Sequence, residues 1–154
     1  MKLYTDDRNL SYTSTKLKPM DTKHDIDAIL ARWGITKIAW EFNLEENRVV
    51  LQFELSEKFQ DQAMTRVVRL EPPRIWDRRK KGRPEEVNWA VSMRILHWYV
   101  KDTLAMAYAM QSDRILAFLP HIQVDEEHTV KDVILPELSN LKALPSREEI
   151  IVEK

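Results

Sequence analysis

Residues 74–83 hold Arg74, Arg78, Arg79, Lys80, Lys81 and Arg83, with Trp76 set among them. Guanidinium and ammonium groups at this density are suited to a polyanion, because each one placed against a phosphate releases a condensed counterion. An indole in the same segment adds a surface on which an unpaired base can stack. The competing reading is a solvated loop whose charge is balanced by the acidic C-terminal half, Asp125-Glu126-Glu127 in particular. The segment is too polar to be core under either reading.

No other set of residues matches it. His24, His97, His121 and His128 are scattered, and only His121, Asp125 and His128 lie close in sequence. None of these spacings is a recognised metal-ligand pattern, so surface histidines are the plainer reading and no cofactor or metal is expected. Asp102 falls among apolar neighbours, where a buried carboxylate would have a raised pKa and serve as an acid or base. It lacks a second convergent polar group, so the expectation is a non-catalytic protein. There is no cysteine, which excludes disulfides, thiolate nucleophiles and cysteine-ligated zinc. Gly34 and Gly82 are the only two glycines, which excludes the glycine-rich phosphate loops.

The 154 residues fit one domain, read as 1–144 with a charged tail over 145–154. Hydrophobic residues are 44% and charged residues 32%, a balance expected of a soluble globular chain. No 18 apolar residues run together, so no membrane partner is expected. The N-terminus lacks the apolar core of a signal peptide and cysteine is absent, so a cytoplasmic location is expected. The net charge of −1 hides an uneven distribution. Residues 66–83 carry 8 basic and 2 acidic side chains, a surplus of +6, between flanks of −2 and −5.

The elements that must position the basic segment have readable signals. Leu10 to Thr15 is aromatic and β-branched enough for an edge strand over 10–15. Thr22 with Asp25 resembles a capping box for a helix over 22–33, whose apolar stripe is Ile26, Ile29, Leu30 and Trp33. Gly34 stands where a left-handed C-terminal cap belongs, with Ile35 to close it. Ile38, Trp40, Phe42 and Leu44 alternate with polar residues, as do Val49, Leu51, Phe53 and Leu55 beyond a polar turn. That pattern predicts a hairpin, with a third strand over 62–70.

Pro72-Pro73 ends the sheet and 71–84 reads as a polar loop. A helix over 85–111 follows, with Pro84 at its start and Glu85-Glu86 complementing its dipole; unbroken, it would be about 40 Å long. Its polar stripe is Arg94, His97 and Lys101, with Arg94 placed to lie over Trp98 as a cation–π pair. A helix so widely apolar is buried or shared with a second copy, and Tyr99, Tyr108 and Met110 are the residues to extend such a surface. Ser112-Asp113 and Thr129/Asp132 mark two further short helices.

Tyr12-Thr13-Ser14-Thr15 and the stretch from Arg94 to Pro120 resemble an uncharacterised family of small proteins encoded by bacteriophages and other mobile elements. Its members begin with a Tyr-Thr-Thr-Thr-like strand and a helix ending in glycine. A meander follows, then a helix carrying Trp-Arg…Trp and a Phe-Leu-Pro-aromatic stop. Tyr12, Thr13, Thr15, Gly34, Arg94, Leu104, Phe118, Leu119 and Pro120 carry the resemblance. Tyr99 stands where the family tends to have Trp, and His121 where it tends to have Tyr. The resemblance implies a context and a fold, and it transfers no catalytic residue.

These readings combine into one α+β domain. Its four-stranded antiparallel sheet comprises 10–15, 37–44, 49–55 and 62–70, with helices 22–33 and 85–111 on one face and a helical cap from 113–144. The favoured function is a non-catalytic phage or mobile-element accessory protein binding DNA or RNA through Arg74, Trp76, Arg78, Arg79, Lys80, Lys81 and Arg83. The alternative is a protein–protein adaptor or structural subunit that forms homo-oligomers through the apolar face of 85–111.

Overall fold

The computed structural model describes residues 1–141; the predicted tail 145–154 lies outside them. Among these residues the fold is mixed α+β, with two three-stranded sheets rather than one of four strands. The larger sheet is the predicted meander: β2 (Ile38–Asn43), β3 (Arg48–Phe59) and β4 (Gln62–Leu70), paired antiparallel in the order β2-β3-β4. Asn47, at φ 51°, lies in the first turn, and Gln60 and Asp61, at 48° and 64°, form the second. Two consecutive left-handed residues make a tight connection, so β3 and β4 run to Phe59 and from Gln62 with no intervening loop.

The expected strand at 10–15 does not form. Tyr12 takes φ 65°, which breaks an extended run, and its ring stacks on Trp98 with centroids 5.3 Å apart and planes 9° from parallel. The aromatic residue that argued for a strand is used against a helix instead. The smaller sheet draws its strands from elsewhere. It comprises β1 (Leu3–Tyr4), β5 (Ile75–Asp77) and β6 (Glu86–Val87), with β5 in the middle, parallel to β1 and antiparallel to β6.

Helix α1 (Pro19–Arg32) begins before the expected Thr22, because Pro19 supplies a preset φ at the first turn. Thr22 is therefore inside the helix and fully buried, its hydroxyl without a partner among the described residues. The other end follows the sequence signal. Gly34 has φ +77°, its N–H donates to the Ala31 carbonyl at 3.0 Å, and the Ile35 N–H donates to the Leu30 carbonyl at 2.9 Å. This is a Schellman cap with Ile35 as its apolar closure.

Helix α2 (Trp89–Ala109) starts four residues later than the expected 85. Val87 is buried and paired with Trp76, so Glu86 and Val87 are held extended in β6. Asn88 is the true N-cap, its side-chain oxygen accepting from the Val91 N–H at 3.1 Å. Val91, Met93, Leu96, Val100, Leu104 and Ala107 are buried. Most of them join Ile26 and Leu30 of α1, Leu51, Phe53 and Leu55 of β3, and Val68 of β4 in one core. Each such aliphatic side chain contributes about 1.5–3 kcal/mol on burial. The wide apolar face is thus largely covered within the chain, and α1 is its main helical neighbour.

Beyond α2 the short elements obey their caps. Asp113 accepts from the Ile115 N–H at 2.7 Å and starts α3 (Arg114–Ala117). Asp132 accepts from the Thr129 N–H at 2.8 Å at the start of α4 (Val130–Ile134). Arg114 pairs with Glu57 of β3 and donates to the Trp33 carbonyl at 2.9 Å, tying α3 to the sheet and to the end of α1.

The orphaned Thr22 hydroxyl makes a testable point. A buried hydroxyl without a partner is a cost, so Thr22→Val should raise the urea unfolding free energy by about 1 kcal/mol. A loss of stability would show that the hydroxyl is hydrogen-bonded.

Candidate nucleic-acid interface

The polar loop expected over 71–84 contains one short strand, β5, so residues 78–85 become the connection of a hairpin between β5 and β6, with Arg79 to Arg83 at its tip. Its base is fixed to α2. The Ile75 N–H donates to the buried Ser92 hydroxyl at 3.1 Å, and the Ile75 carbonyl accepts from the Asn88 N–H at 2.6 Å. Asn88 also donates through its side chain to Asp77 at 3.2 Å. The tip is a tight turn in which the Arg83 N–H donates to the Lys80 carbonyl at 3.0 Å, with Gly82 at φ +79°. A left-handed position of that kind is where glycine costs least.

A clip from the N-terminal strand braces one side of the hairpin. Arg78 donates to Asp6 at 2.7 Å and its guanidinium lies 4.0 Å from the Tyr4 ring centroid. Lys2 pairs with Glu85 at 3.0 Å and stands 4.1 Å from the Trp76 ring centroid, while the Tyr4 hydroxyl donates to Glu85 at 3.2 Å. The Arg78 hydrogen bond holds the Asp6 carboxyl below its ordinary range, and Lys2, then Tyr4, do the same for Glu85.

The seven predicted residues therefore separate into groups. Arg78 is engaged in the clip. Trp76 is a half-buried strand residue with Lys2 over its ring, rather than a free indole in a loop. Arg79, Lys80, Lys81 and Arg83 are exposed at the tip, and among the described residues none pairs with a carboxylate. Arg74, also exposed and without such a partner, lies at the other end of β5. No ion pair joins the acidic run to them among the described residues: Asp125 is turned to its own loop, accepting from the Glu127 and His128 N–H groups at 2.8 Å and contacting the His128 ring.

The remaining candidates do not assemble a reaction centre. Among the described residues, no three His, Asp or Glu side chains are placed to hold a metal. Asp102 is exposed rather than buried. His121 lies edge-on to Tyr99, while His128 makes its contact with Asp125. His97, expected on a polar stripe, is only 6% exposed, and its Nδ1 has no partner among the described residues. Arg94 of the same stripe donates to Asp25 of α1 at 3.0 Å, and its guanidinium also lies over Trp98, 6.0 Å from the ring centroid, as the i, i+4 spacing predicts. Among the described residues, no helix is long and apolar enough to cross a membrane.

No family model, curated protein or solved structure matches the chain.

Burial, and then the nearby Arg94 cation, lower the His97 pKa, with Lys101 acting in the same direction against Asp25 and Asp102. Burial likewise lowers that of His121. A histidine that resists protonation when folded binds its proton more readily when unfolded, near pH 6.5. Stability should therefore be full above that pH and decline as pH falls below about 6.5 through the lowered folded-state values. His97→Phe should make this decline shallower in urea titrations across that window. An unchanged slope would remove His97 from the linkage.

Proposed function

We propose that this chain is a non-catalytic accessory protein that binds nucleic acid through the β5–β6 hairpin tip. The observation that carries the reading is the set of four exposed cations, Arg79, Lys80, Lys81 and Arg83, with no carboxylate partner among the described residues. Arg74 extends the positive surface along β5. Phosphates are the counterparts that an exposed cationic cluster of this kind serves, and such contact is independent of sequence. The resemblance through Tyr12, Gly34, Arg94 and Phe118-Leu119-Pro120 supports a phage or mobile-element setting, with the cytoplasm of the host cell as the place of action.

A second reading rests on a different observation. Met106, Tyr108 and Met110 remain 56%, 74% and 69% exposed at the end of α2. An oligomerising adaptor would cover them with a second copy. Most of the earlier apolar residues of the helix are buried or half-buried within the chain, and Tyr99, though partly exposed, packs edge-on against Phe118 and His121. Light scattering across a concentration series separates this version from the first.

The favoured reading is tested by titrating labelled single- and double-stranded DNA at low salt. The native chain should bind both. The quadruple variant R79S/K80S/K81S/R83S should lose affinity at least about tenfold, because most of its phosphate contacts are gone. Equal affinity of the two proteins, or no binding by either, would overturn the proposal.

A further inference from the structure

A cleft of about 580 Å³ opens at the base of the same hairpin. Arg48, Glu71, Pro73, Arg74, Trp76 and Trp89 are among its lining residues, drawn from the start of β3, the β4–β5 connection, β5 and the start of α2. Its size suits a ligand of nucleotide dimensions, since small-molecule clefts run to about 300–1,000 Å³. The chemistry of the lining is two-sided. Trp76, Trp89 and Pro73 offer flat apolar surface, while Arg48 and Arg74 offer positive charge.

The charges are not equally available. Glu71 sits 3.6 Å from Arg48 and offsets it, and Lys2, which also lines the cleft, is engaged with Glu85. Arg74 has no carboxylate partner among the described residues, so it is the uncompensated side-chain cation of the lining that an entering anion would meet. Two indoles beside one uncompensated guanidinium suit a flat ring that carries a phosphate. β5 then runs about 10 Å from Arg74 towards the tip, at about 3.3 Å per residue.

We infer that this cleft receives one unpaired nucleotide, its base against the indole side and its phosphate at Arg74, while the strand continues to the hairpin tip. The inference rests on the nucleic-acid reading and narrows it from nucleic acid in general to a single strand or a strand end. A duplex keeps its bases stacked and paired, so it can meet the tip cations but cannot place a base in the cleft. Stacking of one base on an aromatic side chain is worth about 1–3 kcal/mol, roughly five- to 150-fold in affinity. Lys2, itself a lining residue, stands over the Trp76 ring, so a base entering there displaces its ammonium from that face.

The test compares short oligothymidylate, a duplex of equal length and adenosine monophosphate, reading anisotropy of labelled DNA and quenching of indole fluorescence. The native chain should prefer the single strand by about fivefold or more and be quenched by it. Arg74→Ala should reduce both the preference and the quench, with its thermal unfolding checked against the native chain. The quadruple tip variant should retain the quench at higher ligand concentration. Equal or tighter binding of the duplex, or a quench indifferent to Arg74→Ala, would overturn the cleft assignment while leaving the tip reading intact. Adenosine monophosphate binding as tightly as the oligonucleotide, undiminished in the tip variant, would support the cleft and overturn the tip. Binding of none of the three ligands would overturn both.

Discussion

Both backbone groups of Ile75 are satisfied at the start of α2, by the buried Ser92 hydroxyl and the Asn88 N–H. Ile75 itself is fully buried, so a short strand is held against a helix by packing and hydrogen bonds together. Buried backbone polar groups must be paired, and here the pairing has a geometric consequence. It fixes the root of the hairpin to the helix that organises the main core. Everything at the tip inherits its position from that joint.

The same joint explains why the tip stays cationic. Of the four carboxylates in or against the hairpin, three are engaged, and Glu86 of β6 is exposed without an ion-pair partner among the described residues. Asp77 accepts from Thr5 and Asn88, Asp6 from Arg78, and Glu85 from Lys2 and Tyr4. These contacts hold the small sheet together and engage three of those carboxylates. The cations beyond them make no ion pair among the described residues, with Glu86 included. A segment with a surplus of +6 thereby acts as a structural brace at Arg78 and as an uncompensated surface from Arg79 to Arg83.

Much of the larger sheet was legible because its cues are local. Alternation through Ile38 to Leu55 and the glycine after Trp33 each specify one geometry, and the meander and the Schellman cap follow. Asp113 and Thr129/Asp132 likewise mark helix starts that form. The errors arose where a tertiary partner outweighed propensity. Tyr12 reads as a strand residue but stacks on Trp98, far away in sequence. Pro84-Glu85-Glu86 reads as a first helical turn, yet burial of Val87 beside Trp76 keeps it extended and moves the start to Asn88. Two-residue strands such as Leu3–Tyr4 have no periodicity to detect. The cations of the candidate site were visible by composition, whereas the clip and the cleft depend on contacts between residues some 70 to 80 positions apart, such as Tyr4–Glu85 and Asp6–Arg78. Asn88 was the missed signal: a side-chain acceptor immediately before the apolar helix.

Whether the tip cations truly face a polyanion is read most directly from the salt dependence of binding by the native chain. Four phosphate contacts to a single strand predict that the logarithm of the association constant falls against the logarithm of salt concentration with a slope of about −3. A slope shallower than about −1 would mean that these side chains release few counterions on binding, contrary to the role given to them here.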